Sequence, residues 1–289
     1  MSDILVIGNI GIDEIWRLDR PLRPGRRLRC LERIRRVGGG AANTAAALLT
    51  TGHTPRIAAT LRTDTLGDTL LAHLTTAGFA TDGIERIPGP TTPGVILLDP
   101  DGERTLIGGA SRSYTLPRTT PASADITYLN FASLADPSTL ARLTPRLLVA
   151  QLPLNPTEPR PANILIASRS DMDHMTLPEL WALRRTLDGP TLHAIILTRG
   201  PEGAGFITES EEGFVPSPAI LQADSIGAGD FFAAGLLSGL ADTMALPQAI
   251  ERGHSTAHHC LQTRPTLLRV LPDTPPATAQ TSCATASIG

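Results

Sequence analysis

Short apolar runs that alternate with helical stretches constrain the fold of this 289-residue chain more than any other feature. The first run, at residues 4–7, contains no polar residue, as is typical of a strand buried on both faces of a parallel sheet. Similar runs follow at residues 57–61, 126–131, 146–150, 163–167 and 193–198. Strands that alternate with helices predict an α/β fold built around a mostly parallel sheet.

Two segments have a different character. Residues 14–37 and 93–112 show partial alternation of polar and apolar residues around turn-forming proline and glycine. The sequence Asp-Pro-Asp-Gly at 99–102 separates two apolar runs and predicts a β-hairpin. We expect the two segments to pair as a separate small sheet. Nine arginines fall between residues 17 and 36, and they indicate either a solvated strand face, which we favour, or an anion-attracting lid.

Charge and cysteine content narrow the choice of compartment and partner. The net charge is −3, which gives no argument for a nucleic-acid partner. The three cysteines, Cys30, Cys260 and Cys283, are odd in number and far apart, as expected in a reducing compartment without structural zinc. No basic region precedes the first strand, and no uncharged apolar run reaches membrane-spanning length. We therefore expect a cytoplasmic chain without a signal peptide or a membrane partner.

The absence of lysine excludes several kinds of chemistry, because all 25 basic residues are arginine. A Walker-type phosphate loop needs a lysine on the phosphates, and a protein kinase needs its strand lysine. Pyridoxal phosphate and Schiff-base enzymes need a lysine nucleophile. None of these classes of enzyme is compatible with the chain.

The stretch at 223–235 is the strongest candidate for a catalytic site. It reads as a glycine loop, Gly227-Ala228-Gly229, that opens into an apolar helix with Asp230 in its first turn. A helix N-terminus can hold an anion with its free N–H groups, and a carboxylate beside it can take a proton from a hydroxyl. The alternative is structural, because an aspartate in a first helical turn also complements the helix dipole.

Polar residues after other predicted strands are weaker candidates, each with a structural alternative. Asp13 follows the first strand, where it could accept hydrogen bonds from two sugar hydroxyls or act as a turn residue. Asn43 closes a glycine-rich stretch that opens a helix, so it either faces a ligand or is only a polar first-turn residue. The turns at 198–205 could line a nucleotide cleft or form a plain hairpin. Asp64 suits a helix cap as well as a functional role.

Four of these motifs together resemble the ribokinase-like (PfkB-type) carbohydrate kinases, in order and spacing, over about residues 3–270. They are Gly38-Gly39 with Asn43, Asp64-x-x-Gly67, Thr198-x-Gly200-x-x-Gly203, and Asp224-Ser225-x-Gly227-Ala228-Gly229-Asp230. The resemblance implies a three-layer α/β/α sandwich with a β-sheet lid built from the segments 14–37 and 93–112. It implies a single domain over 1–271, after which we expect a disordered tail at 272–289.

The resemblance also implies roles for individual residues. Asp230 would be the general base, and the backbone amides of Gly227, Ala228 and Gly229 would form the anion hole. The sugar would contact Asp13, Gly39, Gly40 and Asn43, and on the second lid segment Arg104 is the best candidate to reach inward. The nucleotide would contact Thr198, Gly200, Gly203 and Ser225.

Two departures from the family pattern concern the metal and the sugar. The family's Asn-x-x-Glu motif, tied to magnesium and phosphate, has a literal match only at 155–158, which is too early in the chain. The expected place holds Ser-Arg-Ser-Asp at 168–171, so Asp171 is our candidate metal ligand. Family members often have lysine or a polar residue where Gly40 stands, which leaves the sugar preference open.

The sequence therefore predicts a kinase that uses ATP and Mg²⁺ to phosphorylate a hydroxymethyl group of a small sugar or sugar-like molecule. A nucleoside kinase on the same fold is the first alternative, and a non-catalytic sugar or nucleotide sensor is the second. We expect no nucleic-acid partner. A lid sheet with an apolar face would also allow a homodimer.

Overall fold

The computed structural model describes residues 2–108, 113–131, 133–152, 159–172, 175–187, 191–218 and 224–268. Strands and helices are labelled in chain order. A nine-stranded sheet forms the centre, with β1 (Ile4–Gly8), β4 (Arg56–Arg62), β5 (Ile84–Ile87), β9 (Ile126–Asn130), β11 (Leu147–Gln151), β12 (Ile164–Ser168), β13 (Ala194–Thr198), β14 (Gly203–Thr208) and β15 (Glu212–Pro216). The helices are α1 (Gly40–Thr50), α2 (Thr65–Thr76), α3 (Leu177–Ala182), α4 (Arg184–Leu187), α5 (Ala228–Ala241) and α6 (Leu246–Thr263).

The central sheet is mostly parallel, as the apolar runs predict. Its strand order is β15-β14-β13-β12-β11-β9-β1-β4-β5, and only β14 and β15 run antiparallel to their neighbours. The strands β5 and β15 were not expected from the sequence. Both are short, and β15 alternates exposed with half-buried residues, so it lacks the continuous apolar run of a central strand.

Two hydrophobic cores lie on opposite faces of the sheet. Along β1, Ile4 and Val6 pack into the core that contains the buried faces of α1, α2, α5 and α6. Leu5 and Ile7 point the other way, into the core that contains α3 and α4. Successive side chains of a strand alternate between faces, so a fully apolar strand requires a helical layer on each side. The fold is therefore the expected three-layer α/β/α sandwich.

The strand order reverses beside β1, whose neighbours are β4 on one side and β9 on the other. Gly8, the last residue of β1, lies in register with Asn130, the last residue of β9. Ligands of open α/β sheets bind in the crevice at the carboxyl ends of the strands, where the order reverses. This rule predicts a ligand-binding cleft at Gly8 and Asn130.

A separate four-stranded sheet has the order β3-β2-β6-β7, with β2 (Gly11–Leu18), β3 (Cys30–Gly38), β6 (Gly94–Leu98) and β7 (Arg104–Ile107). The two segments that depart from the α/β pattern pair through β2 and β6, as expected. The remaining strands, β8 (Ser113–Tyr114) and β10 (Ser133–Leu134), form a short parallel pair.

One expectation about this small sheet was wrong. The sequence placed Asp13 after the first buried strand and before a lid segment that begins at residue 14, but β2 begins at Gly11 and Asp13 lies inside it. The short apolar stretch around Ile10 and Ile12 hides this break, because both side chains are buried like those of β1. Asp13 therefore belongs to the small sheet.

Asp64 is a helix cap, the structural alternative left open by the sequence. Its carboxylate accepts a hydrogen bond from the Gly67 N–H at 2.9 Å, at the start of α2. It also accepts from the Thr91 hydroxyl at 2.7 Å and from the Thr91 N–H at 2.6 Å. These bonds hold the pKa of Asp64 at about 2, with the Thr91 hydroxyl as the largest cause.

Several expectations lie outside the described residues. They concern the tetrapeptide at 155–158, the end of the second lid segment at 109–112, Cys283, and the tail at 272–289. Within the part of the chain that the structure describes, no helix has the length and apolar character needed to cross a membrane.

Candidate active site

Asp230 lies three residues into α5, where the glycine loop meets the helix. Gly227 is the N-cap and has φ +84°, a left-handed conformation that a side chain would strain. The next side chain, Phe231, is fully buried and anchors the helix start in the core. The loop and helix therefore fix Asp230 in the first turn, as the sequence predicts.

Two asparagine amides hold the Asp230 carboxylate. Asn43, on α1, donates from Nδ2 to Oδ2 at 2.8 Å, and Asn130, at the end of β9, donates from Nδ2 to Oδ1 at 2.9 Å. Asn130 also donates to the Thr44 hydroxyl at 3.1 Å. Burial raises the pKa of Asp230, while the bonds from Asn130 and Asn43 and the charge of Arg104 work in the opposite direction. The result is an oriented carboxylate with an elevated pKa at the crevice between β1 and β9.

The glycine loop presents free backbone N–H groups next to this carboxylate. The Ala228 N–H donates to the Ser225 carbonyl at 3.1 Å, so it already has an acceptor. The N–H groups of Gly227 and Gly229 find no acceptor among the described residues. Gly229 is exposed, and a methyl group added there would meet open space. Gly227 and Gly229 are therefore better placed to receive an anion than Ala228.

Asp13 approaches the same cleft from the small sheet. Its strand pairs it with Arg36 on β3 and with Gly94 on β6. A Cβ at Gly38 would overlap the Asp13 carboxylate, so the missing side chain makes room for that carboxylate. Burial raises the pKa of Asp13 to about 6; Arg36 opposes this and the negative charge of Asp230 adds to it. The negative charge of Asp230 thus acts on the Asp13 carboxylate, although Asp13 lies on β2 of the small sheet and Asp230 lies on α5.

Arg104, on β7 of the small sheet, is exposed and contacts the segment before the glycine loop. Its Nη1 donates to the Ser225 carbonyl at 3.2 Å and to the Ser225 hydroxyl at 3.3 Å. Its charge also acts on Asp230, whose pKa it lowers. Arg104 and Ser225 therefore meet at the glycine loop, although the sequence assigned them to different ligands.

Gly39 and Gly40 bring α1 close to the ends of the central strands. Gly39 has φ +91°, and a Cβ there would overlap the Asn9 carbonyl. A Cβ at Gly40 would overlap the side-chain amide of Asn130. The glycine at position 40, where the family often has a larger residue, thus makes room for Asn130.

The residues expected to contact a nucleotide form a hairpin further along the same edge of the sheet. Thr198 ends β13 and donates its hydroxyl to the Ala167 carbonyl at 3.2 Å. Gly200 has φ +55° and Gly203 has φ +134°, and they form the turn from β13 into β14. The sequence left open whether these turns form a plain hairpin or line a nucleotide cleft. The structure shows the hairpin, and its place at this edge of the sheet is compatible with both alternatives.

Asp171 is exposed in a short 3₁₀ turn that follows β12. Ser168, at the end of β12, lies in register with Thr198, so Asp171 and the hairpin share one sheet edge. Among the described residues, no group of three or more His, Cys, Asp or Glu side chains is arranged to hold a metal ion. A cation at Asp171 would therefore take most of its ligands from phosphate oxygens or water.

Sequence reasoning missed Asn130 and the partners of Asp224. Asn130 had a visible signal, since it is the polar residue that ends an apolar strand at the carboxyl edge of a predicted parallel sheet. Asp224 forms ion pairs with Arg36 and Arg264, which lie 188 and 40 residues away along the chain. No local pattern connects residues so distant, so these pairs required the structure.

The fold and the site together define a class: a three-layer α/β/α protein with a carboxylate beside the N-terminus of a helix, at the carboxyl ends of the central strands. The family model of the pfkB family carbohydrate kinase matches residues 1–149 and 159–271. The chain therefore belongs to the pfkB family of carbohydrate kinases, which confirms the resemblance seen in the sequence.

Individual relatives agree with this assignment. The chain is 41% identical over 68 residues to a probable chloroplastic fructokinase of Arabidopsis thaliana, a match that spans 24% of this chain and only 18% of that protein. The structure resembles a ribokinase of Thermotoga maritima with a TM-score of 0.72 and 17% identity, over 93% of this chain and 97% of the other. It also resembles a Cryptococcus neoformans ribokinase in complex with ADP, with a TM-score of 0.68 and 22% identity, over 92% and 96% of the two chains. Because these structures are only 17% and 22% identical to the chain, their similarity supports the fold alone.

Proposed function

We propose that this protein transfers a phosphoryl group from ATP to a hydroxymethyl group of a small sugar or sugar-like molecule. The observation that carries the proposal is the Asp230 carboxylate, held by Asn43 and Asn130 next to the free amides of Gly227 and Gly229. A base beside a preorganised anion site provides two components that phosphoryl transfer needs.

In the proposed reaction, Asp230 accepts the proton of the sugar hydroxyl as its oxygen attacks the terminal phosphorus. The oxygen–phosphorus bond to the sugar forms while the bond to the leaving diphosphate oxygen breaks. The amides of Gly227 and Gly229, with Ala228 between them, stabilise the charge on the transferred group. Burial raises the pKa of Asp230, which makes its carboxylate a stronger base than a solvated aspartate.

The sugar would lie between the small sheet and α1. The Asp13 carboxylate would accept hydrogen bonds from two hydroxyls, over the side-chain-free backbone at Gly39 and Gly40. Asn43 already uses its Nδ2 on Asp230, so its amide oxygen would be the group that faces the sugar. Arg104 would close the same side of the cleft, from its position at Ser225.

The nucleotide would lie along the hairpin at the neighbouring edge of the central sheet. Thr198, Gly200 and Gly203 would line its cleft, and Ser225 would approach the phosphates. The ADP in the Cryptococcus ribokinase supports a nucleotide as the phosphoryl donor for this fold. Mg²⁺, when bound, would neutralise phosphate charge, and Asp171 is the described carboxylate that we propose as its protein ligand.

A phosphotransfer assay over pentoses, hexoses and nucleosides, with ATP and Mg²⁺, tests the proposal. Asp230→Asn should abolish turnover, because loss of a general base lowers the rate by on the order of 10²–10⁴. The affinities for ATP and sugar should stay within a few-fold of those of the unmodified protein. Asp242→Asn, at the opposite end of α5, is the matched control and should retain activity. Turnover of nucleosides alone would favour a nucleoside kinase. Binding of sugar or nucleotide without turnover by the unmodified protein would indicate a sensor.

A further inference from the structure

The segment that precedes the glycine loop is held by two arginines from distant parts of the fold. Arg36, on β3 of the small sheet, binds Asp224 Oδ2 from Nη1 at 2.9 Å. Arg264, just after α6, binds the same oxygen from Nη2 at 3.1 Å. Asp224 Oδ1 in turn accepts the Ile226 N–H at 3.1 Å, which fixes the backbone two residues further on.

Besides its ion pair with Asp224, Arg264 contacts Ile226 and Phe231. Its Nη1 donates to the Ile226 carbonyl at 2.9 Å, so one guanidinium bridges a side chain and the backbone of the same loop. It also lies 5.5 Å from the centre of the Phe231 ring, directly after Asp230. The guanidinium thus contacts residues on both sides of the proposed anion hole.

The cluster is nearly closed to solvent. The side chains of Arg36, Asp224 and Arg264 are 7%, 18% and 15% exposed. Burial works to raise the pKa of Asp224, but the hydrogen bond and charge of Arg36 and the charge of Arg264 lower it. Buried ion pairs contribute little stability relative to apolar residues of similar volume, but removal of one partner leaves an uncompensated buried charge.

The small sheet contacts three consecutive residues of this segment, 224–226. Arg36 binds Asp224, Arg104 binds Ser225, and Ile226 packs into an apolar cluster on the sheet with Ile15, Ile96 and Leu98. The sheet that carries Asp13 is therefore joined to the glycine loop at three consecutive positions.

We propose that Arg264 is a positioning residue for phosphoryl transfer, which holds residues 224–230 in the shape that presents the free amides and Asp230. Arg36 contacts Asp224 from the small sheet. Both ion pairs of Asp224 therefore form only when that sheet lies over the cleft. The expected effect on kcat rests on the proposed function. The expected effect on the conformation of residues 224–230 does not depend on that function.

The kinetic test compares Arg264→Gln with Arg252→Gln. Arg252, on α6, also pairs with an aspartate, Asp242, and donates to the Ser238 hydroxyl, but it lies away from the loop. We expect Arg264→Gln to lower kcat roughly 10- to 100-fold, the cost of a small misplacement of reacting groups, with KM for both substrates within a few-fold. Added guanidinium should restore part of kcat in Arg264→Gln and have no such effect in Arg252→Gln.

Amide hydrogen exchange gives a readout that needs no substrate. Peptides covering residues 224–230 should exchange faster in Arg264→Gln than in the unmodified protein or in Arg252→Gln. If Arg264→Gln does not fold, Arg264→Lys keeps a charge at Asp224 but cannot bridge to the Ile226 carbonyl, and it should show the same effects more weakly. Unchanged kcat together with unchanged exchange would overturn the inference. Faster exchange in a protein without any phosphotransfer would overturn the proposed function instead.

Discussion

The side-chain amide of Asn130 donates to the carboxylate of Asp230 across 2.9 Å, joining the end of a central strand to the first turn of α5. With Asn43 on the other oxygen, the carboxylate is fixed in orientation by two donors. A carboxylate oxygen has more than one acceptor site, so each oxygen can still receive a further hydrogen bond. The two amides thus orient the proposed base without occupying its capacity to take a proton.

We predict that Asn130→Ala lowers kcat and shifts the acid limb of the kcat–pH profile to higher pH. The bond from Asn130 lowers the pKa of Asp230, so its loss should raise that pKa, and the base should stay protonated to a higher pH. We expect kcat at neutral pH to fall roughly tenfold or more, consistent with loss of a hydrogen bond to a charged group. Steady-state kinetics between pH 5 and 9 measures both effects.

Asn163→Ala is the control for this variant. The side chain of Asn163 makes two hydrogen bonds as well, but to backbone: it accepts from the Leu148 N–H and donates to the Thr191 carbonyl. Asn163 precedes β12, so it lies at the opposite end of the strands from Asn130. Asn163→Ala should cost stability and leave the pH profile unchanged. If Asn130→Ala keeps an unshifted acid limb, Asp230 does not depend on Asn130 for its protonation.

Gly40→Ala should reproduce the effect of Asn130→Ala, because the new Cβ would overlap the Asn130 amide. The double variant should then be little worse than either single variant, since both remove the same contact. Gly11→Ala is the control, because a Cβ at Gly11 meets nothing within 4 Å. Additive losses of kcat in the Gly40→Ala, Asn130→Ala pair would mean that Gly40 serves another purpose.

The strands were predictable because burial on both faces leaves a continuous apolar run, which β1 and β13 show clearly. Asp230 was also predictable, since the glycine loop and the following apolar helix are local features. The sequence did not assign Asp13 to the small sheet, because the buried Ile10 and Ile12 hide the start of β2 at Gly11. Arg264 could not have been found, since its role depends on contacts with Asp224 and Ile226 that only the tertiary fold creates.

Asp13 should make sugar affinity depend on pH near 6. Its pKa is raised from 3.8 to about 6, so the carboxylate that accepts sugar hydroxyls is fully formed only above that pH. Calorimetric titration should therefore show tighter sugar binding as pH rises from 5 to 7 in the unmodified protein. Asp13→Asn should bind sugar more weakly and lose this pH dependence, while ATP affinity stays nearly constant.

The same raised pKa has a consequence for stability. The contribution of protonated Asp13 is fully present below about pH 4 and is lost as the pH rises through about 6. Between these pH values, the free energy of unfolding should fall relative to that of Asp13→Asn. Equal pH dependence of the two proteins in denaturant titrations would contradict the raised pKa.

Asp171→Ala should raise the Mg²⁺ concentration needed for half-maximal activity and leave sugar affinity nearly unchanged. The reason is that Asp171 shares a sheet edge with the hairpin proposed to line the nucleotide cleft. Asp136→Ala, at an exposed 3₁₀ turn elsewhere, is a suitable control. A magnesium titration that is identical in Asp171→Ala and the unmodified protein would remove Asp171 from the metal site.

The small sheet should respond to sugar as one unit. Its two segments are joined by the parallel pairing of β2 with β6, and β2 carries Asp13, so a sugar bound at Asp13 should stabilise both. Asp13 and Glu14 lie within β2, so we place one hinge of the small sheet at residues 9–10, between β1 and β2. We place the second hinge at residues 38–40, where Gly39 has a positive φ.

Hydrogen exchange with and without sugar measures this response. Protection should rise together in peptides from β2, β3, β6 and β7, because closure over the cleft excludes water from one continuous sheet. Peptides from β11, in the middle of the central sheet, serve as the internal control and should change little. In Asp13→Asn, the same sugar concentration should protect all four strands less. A response confined to β2 and β3 would mean that the two segments move independently, and β6 and β7 would then have no part in closing the site.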